Sequence, residues 1–371
     1  MNNVKIFFAG DFCSKPFTSK ITVSNELKSL ILTCDLKVVN FEVPLKPDVT
    51  LPKQKRERFF QNDDAPVFLR GLGFNLFSLA NNHAFDWGDE GYKKTKAALD
   101  DASFGAGTYE EAYQVKVMEV RGKKIGFLAL SFAAYTGVFD DVTKHDGLGF
   151  AYINDLRVNH DIMEAKKYVD YLFILPHDGI EYIDVPLPET IARYRDFIDY
   201  GADGVIAAHP HCPQGWEEYK GKPIFYSLGN FLFNSKERYD VHAKEPHWYE
   251  GLCVLMTIDE GKLTWEVLNT RNVDNVGIEI DHDLTRNEDN KRLCHYLKDA
   301  KAYNEYLQPV LEQQANADLQ SIKRMFLPKN NKEAFKVLWN CLRGRKPASK
   351  EEFRFMLKND LKRKRIIRFS K

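Results

Sequence analysis

Two histidines, His209 and His211, leave the C-terminal end of a short apolar run at residues 205–208. Gly201 and Gly204 precede the run and Pro210 stops it, the pattern of a buried strand closed by a turn. In extended backbone, residues i and i+2 face the same side, which aims both imidazoles at one point beyond the strand. Imidazole is a ligand for borderline divalent cations and an acid–base group near neutral pH. A satisfied structural histidine is the plainer role, and the neighbouring segments decide between the two.

Those neighbours repeat the theme. Residues 4–9 form an apolar run released at Gly10-Asp11, and residues 36–42 end in Asn40-Phe41-Glu42, with Asn40 and Glu42 on one side by alternation. Residues 76–79 lead into Asn81-Asn82-His83, followed by Asp86. Residues 171–175 lead into His177, Asp178 and Glu181, and Asn230 follows the turn glycine Gly229. In an α/β sandwich the site lies beyond the carboxyl ends of the strands, so these segments can converge from across the chain. A mixture of carboxylate, amide and imidazole suits Mn, Zn or Fe better than Ca, which prefers oxygen alone. So many ligands exceed what one tetrahedral ion needs; two divalent ions about 3.5–4 Å apart, sharing a carboxylate, would use them all.

Several of these residues have a second reading. Asp11 is also a routine turn residue, and Asp86 either stabilises its own turn or supports His83. Glu181 and Asp203 either orient His177 and His209 or serve as surface and turn residues. Asn230 lines the cleft or caps a strand. His242 and His247 are surface residues or substrate contacts.

The elements that must position these groups alternate. Helices are expected over residues 24–34, 91–102, 155–169 and 188–200. Hairpins are expected over 115–120 with 124–131 and over 251–259 with 262–268. Residues 51–64, polar and charged, read as a loop or lid. The alternation predicts α/β (α+β) architecture with mixed sheets rather than a closed barrel, and no internal repeat appears. From about residue 283 the texture turns charged and helix-prone, with helices expected over 290–311, 318–326 and 332–342. The expected division is therefore 1–282 and a helical, basic extension, 283–371.

With 371 residues, 44% of them hydrophobic, the chain can bury a sizeable core. Net charge is zero, which disfavours a nucleic-acid partner. Residues 342–371 depart from that balance, with 12 Lys/Arg against 3 Asp/Glu. That end is either a solvated tail or a means of docking to an anionic membrane surface or a synthase partner. The six cysteines are scattered, without a disulfide framework or zinc pattern. With neither a signal-like start nor an apolar run of bilayer length, the expected location is cytoplasmic, with peripheral membrane attachment through the basic end.

The ordered set Gly10-Asp11, Asn40-Phe41-Glu42, residues 80–88 from Ala80 to Gly88, His177 through Tyr182, Gly201-Ala202-Asp203, His209-Pro210-His211 and residues 226–231 resembles the successive motifs of the CapA family. This is the bacterial capsule or poly-γ-glutamate biosynthesis family within the calcineurin-like metallophosphoesterases, and the resemblance covers residues 4–235. It implies a four-layer α/β/β/α sandwich and a dinuclear centre. Asp11 and His211 would hold the first ion, Glu42 would bridge, and Asn82, His177 and His209 would hold the second. His83 would protonate the leaving group. Asn40, Asp86, Asp178, Glu181, Asp203 and Asn230 would contact substrate or support the ligands.

Two departures stand out. Cys13 occupies a position where the superfamily often has histidine, as either a thiolate ligand or a buried structural thiol. Asp178 replaces an aromatic residue. The implied activity is a metal-dependent hydrolase of the phosphoesterase type, taking a phosphorylated or polymeric glycan or polyglutamate substrate. The alternative is a non-catalytic accessory subunit of a polymer synthesis and export complex.

Overall fold

A computed structural model describes residues 3–15, 18–50, 58–132, 137, 139, 146–235, 245 and 247–326. His242, the predicted helix at 332–342, the basic end and half of the predicted lid, residues 51–57, lie outside them. In chain order the strands are β1 (Val4–Lys15), β2 (Thr22–Val23), β3 (Leu36–Phe41), β4 (Leu76–Ser78), β5 (Ser103–Phe104), β6 (Ala106–Gly107), β7 (Lys116–Val120), β8 (Lys123–Ser131) and β9 (Gly149–Phe150). They continue with β10 (Tyr171–His177), β11 (Gly204–Ile206), β12 (Trp216–Tyr219), β13 (Lys222–Phe225), β14 (Asn230–Ser235), β15 (Glu250–Asp259), β16 (Lys262–Val273) and β17 (Gly277–Ile280).

One sheet runs β2-β17-β16-β15-β1-β3-β4-β5, with β14 also pairing with β1. The second runs β12-β13-β11-β10-β8-β7. β1, β3, β4 and β5 are parallel, as are β8, β10, β11 and β13, so both parallel blocks deliver their carboxyl ends to loops. Alternation along β1 explains how the sheets stack. Phe8 points inward, with ring centroids 5.5 Å from Phe173 on β10 and 6.2 Å from Phe127 on β8. Phe7 points outward to Phe74, 6.2 Å away.

Helices close the two outer faces. Leu27 and Ile31 of α1 (Asn25–Leu32) and Leu69 of α2 (Ala65–Gly71) join the core that contains Phe7. Val158 and Ile162 of α5 (Arg157–Ala165) and Tyr194 and Phe197 of α6 (Pro188–Asp199) cover Leu128, Leu172 and Val205. Between them in sequence lie α3 (Gly88–Leu99) and α4 (Tyr109–Tyr113), the latter begun by a capping box from Thr108 and Glu111. The result is the expected four-layer α/β/β/α sandwich.

The C-terminal helices differ from the expectation. The predicted helix over 290–311 is two helices, α7 (Leu284–Tyr296) and α8 (Ala300–Phe326). Asp299 divides them, its Oδ1 accepting from the amides of Lys301 and Ala302, which starts a new helix. The compact units are Met1–Tyr303 and Asn304–Lys371, so the first extends past the expected boundary at 282/283. α7 belongs to it because Arg286, 6% exposed, pairs with Glu250 (2.7 Å) and Asn290 Nδ2 donates to Asn269 Oδ1 (2.7 Å).

Candidate metal centre

The polar residues that follow the apolar strands converge at one rim of the sandwich. Asp11 lies beyond an irregularity in β1, where the register with β3 slips between Ala9 and Asp11. Gly10 permits that crossing: a Cβ there would stand 2.0 Å from the Gly229 carbonyl oxygen, which accepts from the Asp11 amide at 3.0 Å. Asn40 and Glu42 leave β3, Asn82 and His83 follow β4, and His177 ends β10.

His209 and His211 converge for a different reason from the one predicted. β11 stops at Ile206, and both histidines have left-handed backbone, φ 109° and 56°. A non-glycine residue there is uncommon; the Asp11 carboxylate helps hold the turn by accepting from the His209 amide at 3.0 Å. The pair therefore meets across a turn, not by strand alternation.

Ligating atoms of Asp11, Glu42 and His211 all lie within 4.8 Å of one another, and the three residues are buried. Glu42 Oε1 sits 3.5 Å from His211 Nε2 and 3.9 Å from His177 Nε2, between the two imidazoles. His177 Nε2 is 3.1 Å from His209 Nδ1 and 2.9 Å from Asn82 Oδ1. Asn40 Nδ2 donates to Asp11 Oδ1 (2.7 Å) and lies 3.1 Å from His177 Nδ1. Asn230 Oδ1 is 2.9 Å from His211 Nδ1, while its Nδ2 donates to the Trp248 carbonyl at 3.0 Å.

The remaining predicted residues divide. His83 Nδ1 lies 2.8 Å from Asp86 Oδ2, and the same oxygen accepts from the Phe59 amide (3.0 Å), so Asp86 serves both the histidine and its neighbour. Asp178 accepts from Thr190 Oγ1 (3.5 Å) near the start of α6, and Glu181 is half-buried in the following turn. Asp203 is a correction. Its carboxylate takes Lys166 Nζ (2.7 Å), Lys222 Nζ (2.6 Å) and the Leu172 amide (2.9 Å) at the opposite end of β10 and β11. It orients no histidine of the centre because it enters the strand that His209 leaves. Cys13 is buried with Val43, Phe59, Phe233 and Trp248, in an apolar cluster.

The electrostatics suit a cation. Burial pushes Asp11 up to about 7, against the opposing pull of hydrogen bonds from Asn40 and the His209 amide. Burial, and then the nearby imidazoles of His209, His211 and His83, hold His177 well below the usual histidine range, so it is neutral with a lone pair to give. Buried carboxylates, imidazoles and an amide oxygen make a donor set that fits a divalent cation. A bound cation would favour the ionised carboxylates that burial opposes.

Several neighbours were not singled out from the sequence. Asn81 Nδ2 donates to Asn40 Oδ1 (3.3 Å) and to the Phe41 carbonyl (3.0 Å), tying two strand-end loops together; its place inside the Asn81-Asn82-His83 motif was the available signal. Trp248 and Phe233 pack 5.2 and 4.9 Å from the His211 ring, and Phe132 packs 4.6 Å from His209. Phe132 and Trp248 lie in loops, where no periodicity marks them in advance, and Phe233 sits in β14, where its type alone says nothing of a neighbouring histidine.

A model of the bacterial capsule synthesis protein family PGA_cap matches residues 5–235, more than half the chain. The chain is 29% identical over 240 residues to the PGA biosynthesis protein CapA of Bacillus subtilis, covering 61% of this chain and 62% of that protein. It is 28% identical over 210 residues to a probable polyglutamine synthesis accessory protein of Mycobacterium tuberculosis, covering 53% of this chain and 55% of that one. Each match spans less than two thirds of the relative's length. Among solved structures, a phosphatase from Mycoplasma pneumoniae superposes with a TM-score of 0.44 at 16% identity, over 72% of this chain and 94% of that one.

Proposed function

The chain belongs to the bacterial capsule synthesis protein family PGA_cap, and from that premise we propose that it is a divalent-metal-dependent hydrolase of the phosphoesterase type. Its substrate would be a phosphorylated precursor or the polymer itself, in the making of capsule or a glutamate polymer. The observation that carries this reading is the buried group Asp11, Glu42 and His211, whose ligating atoms lie within 4.8 Å of one another.

Asp11 and His211 would hold one ion, Asn82, His177 and His209 a second, and Glu42 would serve both. When bound, the ions would supply Lewis acidity toward a phosphoryl oxygen and a nucleophile available at neutral pH. The protein's own groups do the rest. Asn40 fixes Asp11 and stands against His177, and Asn230 fixes the His211 ring. His83, held through Nδ1 by Asp86, would give a proton to the departing oxygen.

Elemental analysis of the purified chain, with p-nitrophenyl phosphate hydrolysis in added Mn²⁺, tests the proposal. Bound metal and turnover are expected, and His211→Ala loses both. Inactivity with Mn, Zn and Fe across phosphoester types, in protein that does contain metal, would overturn the hydrolase reading. It would favour the accessory role that the name of the M. tuberculosis relative carries, with the same cleft used for binding alone.

A further inference from the structure

The turn that walls the centre on the His211 side is fastened from α7. Trp248 is buried there, its ring 5.2 Å from His211 and 5.2 Å from Phe233. Its backbone turns through hydrogen bonds from the Trp248 amide to the Glu245 carbonyl (3.3 Å) and from the Glu250 amide to the His247 carbonyl (3.2 Å). Asp283 begins α7 by accepting from the Thr285 amide at 2.9 Å, which sets Arg286 and Asn290, one turn apart, on the face toward β15 and β16. Arg286 Nη1 then lies 2.7 Å from Glu250 Oε2, with Asp289 Oδ2 at 3.6 Å from the same nitrogen. A buried guanidinium keeps its charge and its rigid fork, so it grips the end of the turn firmly.

The turn delivers a carbonyl. Asn230 is buried and donates its Nδ2 to the Trp248 carbonyl (3.0 Å) and to the His211 carbonyl (3.3 Å). Both protons of that nitrogen are thereby used, and a reversed amide would set its oxygen against two carbonyl oxygens. Asn230 Oδ1 therefore faces His211 Nδ1, at 2.9 Å, as an acceptor. Asp11 Oδ2 stands 3.5 Å from the same ring nitrogen. Acceptors on that side place the imidazole proton on Nδ1 and leave the lone pair on Nε2, the nitrogen 3.5 Å from Glu42 Oε1.

We propose that Arg286 is a positioning residue for His211. By holding Glu250 it holds the turn whose Trp248 carbonyl locks Asn230, and Asn230 dictates which imidazole nitrogen is offered to the centre. This rests on the functional reading above only in taking His211 as a metal ligand. Trp248, Glu250 and Arg286 all lie beyond residues 5–235, the span that the family model matches.

The test is long-range proton–nitrogen NMR of the full chain, stripped of metal and carrying isotope-labelled histidine, with Zn²⁺ titration against a chromophoric chelator alongside. The signal lost in His211→Gln identifies the ring. The native ring carries its proton on Nδ1. Arg286→Met moves it to a mixture of tautomers and weakens Zn²⁺ binding about tenfold, the lower end of what partners behind a metal ligand contribute. Arg286→Lys, which returns the charge, recovers most of both. Where Arg286→Met does not fold, Glu250→Gln, which keeps the shape without the charge, gives the same shift. Asp203→Ala, a lost acceptor at the far end of β10 and β11, leaves the tautomer unchanged. A tautomer that ignores these substitutions, bound Zn²⁺ whose affinity ignores them, or an equal shift in Asp203→Ala would overturn the proposal. A tautomer shift in a chain that binds no Zn²⁺, or that turns over no phosphoester, would uphold the positioning role and sink the hydrolase reading alone.

Discussion

Asp11 and Asp203 are both buried aspartates placed next to parallel strands, and they sit at opposite ends of the sandwich. Asp203 is enclosed by permanent cations, Lys166 at 2.7 Å and Lys222 at 2.6 Å, with the Leu172 amide completing its shell. Beside Asp11, by contrast, stand the imidazoles of His177 and His211 at 3.7 and 3.5 Å, and hydrogen bonds reach it from an amide side chain and a backbone amide. A lysine neutralises a carboxylate once and for all, whereas a neutral imidazole leaves the charge to be met by something else. The first arrangement fastens the start of two strands; the second leaves room for a cation to complete it.

The comparison breaks most directly at Asp11. Asp11→Asn should cost most of the bound metal by elemental analysis, and at least about 100-fold in phosphoester turnover, since outer partners alone cost ~10–100-fold at such centres. Asp203→Ala should leave metal content intact. If it empties the centre as Asp11→Asn does, the distinction between the two aspartates is wrong.

Chelation sharpens the contrast. A cation held at a hundred times its Kd adds about 2.7 kcal/mol to the folded state, so EDTA should lower the melting temperature of the native sequence. Asp11→Asn, already without metal, should show almost no EDTA shift in the same scan. Asp203→Ala should lose about 1–3 kcal/mol of stability by denaturant titration, because the buried Leu172 amide is left without its acceptor.

The smallest expected effect lies at a third carboxylate, Glu250, which has both kinds of partner. Arg286 Nη1 lies 2.7 Å from Glu250 Oε2 and His247 Nδ1 lies 2.5 Å from it. The hydrogen bond to Glu250 raises the His247 pKa above its ordinary 6.5, against partial burial and the Arg286 charge. The stabilisation is therefore fully present below pH 6.5 and is lost as pH rises through the raised value. His247→Gln should flatten that decline in melting temperature. The effect is under about 1 kcal/mol because the pair is only half-buried. An unchanged pH profile would remove His247 from this role.

Much of the fold was legible in the chain because apolar runs of strand length alternate with amphipathic helices and end in distinct polar residues. β3, β8, β10 and α6 fall within two residues of their predicted bounds. Legibility failed where proximity in sequence stood in for proximity in space. Asp203 lies six residues from His209, but the two flank β11 at opposite ends, Asp203 bonded to the Leu172 amide at the start of β10 and His209 beside His177 at its end. The single helix expected over 290–311 failed for a local reason, since Asp299 caps a new helix inside a stretch of helix-prone composition.

The chain by itself determined which residue types stand at the ends of which strands, because period and turn chemistry are local properties. Only the packed structure decided which of those ends meet. It turned His209 and His211 inward through left-handed backbone that strand periodicity does not foresee, and brought Trp248 against His211 from outside the matched region. It also set Lys15 and Lys46, 31 positions apart in the chain, over the same ring. Convergence is a matter of distances between distant segments, and those distances are fixed by sheet order and core packing rather than by any one stretch of sequence.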